Sequence, residues 1–263
     1  MSYRSLRADQ DRLEILVSSA PWRFPAIPSD HWTFMAWFKP EVDLDSFTSV
    51  LTYGDETGTQ TASIGANATG TVLMVFNGFS VESSSTSWVI GEWNHLACIV
   101  GHHQQGGTAR MRLYLNGIFI FEKSDGIPSD VENQRFEILG IAEANESITG
   151  LGAEFKWWPF ALQGGSEQVR VEMWTKGPVY QPGYCIYFPL DNKYRLNDGQ
   201  GWGLQLTKEF VSGDGPNFDP EHPPGLLPAS FFQRRMMQHN PAPDADTVFP
   251  RPRQRMLGNI NKV

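Results

Sequence analysis

Apolar and polar side chains alternate with a period of two along much of this chain. In HWTFMAWFKP, Trp32, Phe34, Ala36 and Phe38 fall on one face and Thr33, Met35, Trp37 and Lys39 on the other. Both faces are largely apolar, which predicts a strand covered on both sides. TVLMVFNGFSVES reads as a strand, an Asn-Gly turn and a second strand, and EWNHLACIV as a further strand after a glycine. RMRLYLNGIFIFEK carries the clearest hairpin signal. Asn116 and Gly117 are residue types that accept positive φ at both central positions of a type I′ turn, and alternating apolar residues flank them. FEILGIA, GAEFKWWPF and GYCIYFPL add strands. Turn residues recur every 8–15 or so positions, the rhythm of a β-sandwich rather than of βαβ units.

One helix is expected in this body, with Ser166 as its cap, Val169, Met173 and Trp174 as its apolar stripe and Gly177-Pro178 as its stop. DNKYRLNDGQGWGLQL reads as a turn-rich loop and a short strand. The Gly/Pro/Asp punctuation of residues 211–228 predicts a linker. SFFQRRMMQH, Ser230 to His239, has the pattern of a short capped helix, and the remainder is expected to be extended.

Composition changes this picture in three ways. Nine tryptophans and 17 phenylalanines in 263 residues supply a flat-sided aromatic core, an aromatic surface, or both. No apolar run is long enough to span a bilayer as a helix, and the start, MSYRSLRADQDRLEIL, lacks the apolar segment of a secretory signal. Cys98 and Cys185 each sit in an apolar run and are expected as buried free thiols.

Charge is unevenly placed. Residues 228–263 hold six basic and two acidic side chains, a balance of +4 in a chain of −8, so the preceding residues carry about −12. An acidic body excludes broad phosphate-backbone binding and leaves only the arm to touch an anion.

The pieces WTFMAWFKP, VLTYGD, EWNHLACIV, RLYLNG, FEILGIA and GAEFKWWPFAL, in that order, resemble the LamG-like jelly roll of the concanavalin A-like lectin/glucanase superfamily over roughly residues 10–176. Trp37, Trp93, His95, Leu113, Tyr114, Asn116, Gly117, Gly140, Trp158 and Leu162 occupy the matching places. The resemblance implies an all-β fold: a two-sheet antiparallel jelly-roll sandwich, here with one short helix and an extended C-terminal arm. YFPLDNKYRLNDGQGWG resembles a strand that usually precedes this domain, yet here follows it. The acidic calcium positions of the lectin and pentraxin branches have no match, and the basic arm has no family counterpart. The expected organisation is a sandwich over 1–210, a linker over 211–228 and an arm over 229–263. The superfamily includes hydrolases, lectins and adhesion modules, so the fold implies no single function.

Candidate chemistry is sparse. Glucanases of this fold place acidic residues at alternate positions of one strand, and the nearest text here is EVDLD, Glu41 to Asp45. It lacks the final glutamate and follows Lys39-Pro40, so it reads as an acidic turn. Glu137, Glu154 and Glu172 have ordinary surface spacing, and no enzyme activity is expected. Adjacent His102 and His103 point apart in an extended segment, and His31 and His95 read as satisfied structural histidines. No G-x-S-x-G elbow occurs, and the glycines of SIGANATG open no helix. No cofactor is expected; Asp55, Glu56 and Asp125 are the carboxylates available to calcium, without a spaced ligand string. Trp88, Trp157 and Trp202, with Ser-, Gly- or Lys-rich neighbours, are the expected sugar-stacking aromatics.

The arm carries the remaining expectation. About 36 residues at roughly 3.3 Å each reach over ~100 Å, against a body radius of gyration of roughly 17 Å. Phe231, Phe232 and Phe249 are apolar anchors, and Arg234, Arg235, Arg251, Arg253 and Arg255 offer bidentate contacts to carboxylates. The leading expectation is a non-enzymatic structural, decorating or attachment subunit of a large assembly, a bacteriophage virion protein made in the host cytoplasm. Its partners would be other subunits, including copies of itself, with no membrane and no sequence-specific nucleic acid. A lectin-like module comes second and a glycoside hydrolase third.

Overall fold

The computed structural model describes residues 5–9, 12–16, 31–41, 48–55, 61–67, 69–76, 79–102, 109–123, 134–138, 149–163, 165–190, 207–209, 217–219 and 221–230. The strands of the first half are β1 (Ser5–Asp9), β2 (Arg12–Leu16), β3 (Trp32–Pro40), β4 (Thr48–Asp55), β5 (Thr61–Ala66), β6 (Thr71–Phe76) and β7 (Phe79–Ser87). Then come β8 (Asn94–His102), β9 (Ala109–Leu115), β10 (Ile118–Lys123), β11 (Gln134–Ile138), β12 (Thr149–Trp158) and the helix α1 (Gly165–Met173). Five short strands follow: β13 (Thr175–Lys176), β14 (Ile186–Phe188), β15 (Thr207–Glu209), β16 (Asn217–Asp219) and β17 (Leu227–Pro228).

Two antiparallel sheets form the all-β sandwich. The eight-stranded sheet runs β10-β9-β8-β3-β12-β1-β16, with β14 also on β12, and the seven-stranded sheet runs β15-β2-β11-β4-β5-β6-β7. Strand β12 serves two partners on one edge: β1 pairs with Thr149–Gly152 and β14 with Phe155–Trp157. The change occurs at Glu154, whose φ of 54° and hydrogen bond from its N–H to the Pro189 carbonyl (3.2 Å) mark a bulge. GYCIYF therefore enters the main sheet beside β1, a late strand neighbouring an early one.

Both faces of β3 are buried, as its pattern predicts, but by different layers. Phe34 meets Phe155 at 5.3 Å, Phe155 meets Phe188 at 6.0 Å and Phe38 meets Trp88 at 4.7 Å on the inner face. On the outer face Met35, Ala97, Ile99, Tyr114, Trp158, Cys185 and Tyr187 pack with Leu162 and the Val169 of α1. Cys98, opposite Phe34, belongs to the inner face and Cys185 to the outer, and neither is in a disulfide. The β9–β10 turn has the expected positive φ at Asn116 (51°) and Gly117 (73°). A Cβ at Gly117 would lie 2.8 Å from Arg170 Cγ, so glycine also admits α1.

The stretch 211–228, expected as a linker, supplies two strands: β16 pairs with β1, and β17 pairs in parallel with β13. Its Gly/Pro punctuation marks turns between short extended pieces, and Leu226 joins Trp37, Ala153 and Met173 in an apolar cluster that fixes it to the outer face. Apart from the start of the arm at 229–230, residues 229–263, with the expected helix to His239, lie outside the described residues, as do the tips of several loops.

Candidate ligand-binding surface

Beneath α1 the outer face carries a charged layer rather than a purely apolar one. Lys156 Nζ donates to Glu172 Oε2 (3.0 Å), the Glu172 carbonyl (2.7 Å), the Thr175 carbonyl (2.8 Å) and Thr175 Oγ1 (3.1 Å). Glu172 Oε1 accepts the N–H groups of Val179 and Tyr180, each at 2.7 Å. Tyr187 donates its hydroxyl to Glu154, whose Oε2 also accepts the Gly177 N–H (2.9 Å). Glu154, Lys156 and Glu172 are 4%, 1% and 1% exposed, so the reading of these glutamates as surface residues is corrected. Strand periodicity shows which side of a sheet a residue occupies; only the α1 layer decides that this side is sealed.

Burial pushes the Glu154 carboxyl up despite the nearby Lys156, and pushes His95 well below its ordinary value, with Lys156 adding to the effect. His95 stacks edge-on against Trp37 at 5.2 Å, and among the described residues its Nδ1 finds no hydrogen-bond partner, where a satisfied histidine is expected. A proton on this ring is held more tightly by the unfolded chain, so the contribution of neutral His95 is complete above about pH 6.5 and is lost as the pH falls below it. Glu154 has the opposite sign, since its raised value favours the native state below the window of that shift. Thermal unfolding at pH 7.5 and 5.5 checks this: the midpoint falls on acidification, and the fall is smaller in a His95→Gln chain.

The charged layer also fixes what α1 presents to solvent. Four consecutive carbonyls at its C-terminal end are held by donors from the body. Lys156 and Thr175 take Glu172, Trp37 Nε1 takes Met173 (2.9 Å), the Leu227 N–H takes Trp174 (2.9 Å), and Lys156 takes Thr175. These carbonyls carry the negative end of the helix dipole, which a buried ammonium complements. Trp174 thus stands on a fixed backbone, 40% exposed, its ring 5.8 Å from that of Trp37.

Two positions along β3 from Trp37, Lys39 forms an ion pair with Glu221 (2.7 Å), and the same carboxylate oxygen accepts the Trp93 indole N–H (3.1 Å). Trp93, half-buried, packs on the Trp37–Met173–Leu226 cluster. It ends a loop, residues 88–93, held from beneath by Asn94. The Asn94 side chain donates to the Val89 (2.9 Å) and Glu92 (2.8 Å) carbonyls and accepts the Val89 N–H (3.0 Å). Val89, Ile90 and Leu227 are exposed around this strip. An open indole, a second indole with its N–H engaged and a neighbouring ion pair, all on immobilised backbone, suit a ligand with apolar C–H faces and hydroxyl groups.

Trp88 and Trp157 are not part of this surface. They are 3% and 1% exposed, Trp88 against Phe38 and Gly70 and Trp157 opposite Phe34 and Ile186, so neither ring offers a face to a sugar. Their polar neighbours in sequence mark strand alternation and a turn, not exposure of the indole. Trp202 and the arm residues Phe231, Phe232, Arg234, Arg235, Phe249, Arg251, Arg253 and Arg255 lie outside the described residues. Trp174, expected on the apolar stripe of the helix, is instead exposed. At about 100° per residue, it lies a quarter-turn or more from Met173, a signal that it leaves the buried face. Nothing local flags Glu221, which reaches Lys39 across 182 positions.

Among the described residues no group of three or more His, Cys, Asp or Glu could hold a metal ion. Asp55 ends β4 opposite Gln134, while Glu56 and Asp125 lie outside the described residues. No described helix is long and apolar enough to cross a membrane.

Comparison with curated protein sequences finds no match. Among solved structures, a candidate carbohydrate-binding protein from Bacteroides ovatus superposes with a TM-score of 0.59 at 16% identity, over 82% of this chain and 59% of that one. The chain thus spans about three fifths of that protein's length. The heptameric SAP-like pentraxin of Limulus polyphemus aligns at 16% identity over 65% of this chain and 75% of its own (TM-score 0.41). Trypanosoma rangeli sialidase aligns at 13% identity over 54% of this chain and 22% of its own (TM-score 0.43). The family model Laminin_G_3 matches residues 17–166, more than half of the chain, which therefore belongs to the concanavalin A-like lectin/glucanases superfamily.

Proposed function

We propose that this chain is a carbohydrate-binding β-sandwich whose ligand lies on the outer face of the eight-stranded sheet, across Trp174, Trp93 and the Lys39–Glu221 pair. The observation that carries the reading is Trp174: a large open indole on backbone pinned at four successive carbonyls. A rigid exposed aromatic loses little conformational entropy on binding, and its face accepts the C–H groups of a sugar ring. The Bacteroides ovatus neighbour, itself a candidate carbohydrate-binding protein, supports the reading at the level of the fold.

A second reading, an assembly subunit such as a bacteriophage virion protein anchored by residues 229–263, rests on the +4 charge of the arm region against a body of about −12. It is compatible with the first, since a glycan-binding body can be displayed by a separate anchor. A glycan array tests the first reading and a measurement of self-association the second. The full chain binds at least one glycan class, and Trp174→Ala weakens that binding by roughly 30-fold or more, the scale of about 2 kcal/mol for a central aromatic. A chain ending at residue 228 keeps the glycan binding and loses any self-association of the full chain. Unaltered binding by the Trp174 variant, with its fold intact, would falsify this placement of the site.

A further inference from the structure

Resting on that reading, the layout of the strip also points to the kind of glycan. Its aromatic and polar parts are separate. Trp174 lies over Trp37, while Glu221 and the Trp93 indole N–H meet at Lys39. Trp37 and Lys39 are two residues apart on the same face of β3, about 6.6 Å along the strand. Trp174 packs on the first of these residues and Glu221 pairs with the second, so the stacking face and the ion pair are anchored at successive same-face positions of the strand. A single sugar ring stacked on Trp174 leaves the ion pair to its neighbour in a chain. Beneath and between them lies the buried apolar cluster of Trp37, Met173 and Leu226, with half-buried Trp93 at its edge.

The cation of the strip is already paired, and its neighbours are engaged elsewhere. The Lys39 ammonium has the Glu221 carboxylate at 2.7 Å, Lys176 acts on buried Glu154, and Arg170 donates its Nε to the Gly117 carbonyl (3.2 Å). An acidic sugar approaching Lys39 meets Glu221 at the same point, so it gains little attraction there and faces a like charge. A neutral sugar can donate a hydroxyl to the carboxylate and accept from the ammonium without displacing either.

We infer that the Trp174–Lys39 strip binds a neutral oligosaccharide of two or more rings, with one ring stacked on Trp174 and the next hydrogen-bonded at Lys39–Glu221, in preference to a monosaccharide or an acidic glycan.

Calorimetric titration of the full chain tests this with cello-, xylo- and manno-oligosaccharides of one to six rings and with oligogalacturonides. In the neutral series that binds, affinity rises at least tenfold between one ring and four and changes little with salt. Glu221→Ala flattens that rise, whereas Trp174→Ala lowers affinity at every length. Glu221 is partly exposed, and circular dichroism of the variant verifies that the fold is retained. Equal affinity for one ring and four, or tighter, salt-sensitive binding of the oligogalacturonides, overturns the inference while leaving a glycan site at Trp174 in place. Absence of binding in every series overturns both the inference and the reading beneath it.

Discussion

Replacing Lys156 by methionine lowers the stability of this protein by about 3–5 kcal/mol, the cost of leaving one member of a buried ion pair without its partner. The methionine side chain fills a similar volume, so the loss is electrostatic rather than a cavity. Glu172 keeps the Val179 and Tyr180 N–H groups at Oε1 but loses the ammonium at Oε2, and the Thr175 carbonyl loses the same donor. In a chain of this size the melting midpoint falls by roughly 10 °C. Exchanging Glu172 for glutamine in the same chain recovers part of the loss, because the uncompensated charge is then gone. A Lys156→Met midpoint within 2 °C of the parent would show that the layer under α1 is open to water. The network that holds the helix also holds Trp174, so on the proposed reading the same variant weakens glycan binding before it unfolds the sandwich.

Trp157→Ala has an effect of similar size and a different kind. The indole is sealed on the inner face, opposite Phe34 on one side and Ile186 on the other. Truncation removes a large apolar surface from the core and leaves a cavity that the rigid sheet cannot close, a loss of about 3–5 kcal/mol. The discriminating result is a chain with a much lower unfolding midpoint whose folded fraction binds glycan with the parent affinity. Trp174→Ala gives the reverse, a small change in midpoint and a large change in binding. Equal glycan loss in both variants, at temperatures where both are folded, would return Trp157 to the binding surface.

The contrast between these two tryptophans shows how far the pattern along the chain reaches. Trp157 and Trp158 are consecutive and so point to opposite sides of β12, and both are nonetheless buried, because the inner side meets the sandwich core and the outer side meets α1 and the segment around Cys185. Alternation identifies the two sides but carries no information about the second cover, which comes from residues 165–190 and 221–228. The same cover turns Glu154 and Glu172 from apparent surface charges into buried ones, and His95 is buried as well. Trp174 leaves the buried stripe by helix geometry alone, so its exposure was within reach of the sequence; its role beside Trp93 and Glu221 was not.

The sequence by itself determined the strands, the hairpin at Asn116-Gly117, the position of the helix and the membership of a jelly-roll family, because each depends on the spacing of side chains a few residues apart and on the φ values that Asn and Gly permit. Only the tertiary structure decided which aromatics face water and which charges are paired. Those properties depend on segments up to 182 positions distant that fold over the sheet, as Glu221 does to reach Lys39, and no local period records such a contact.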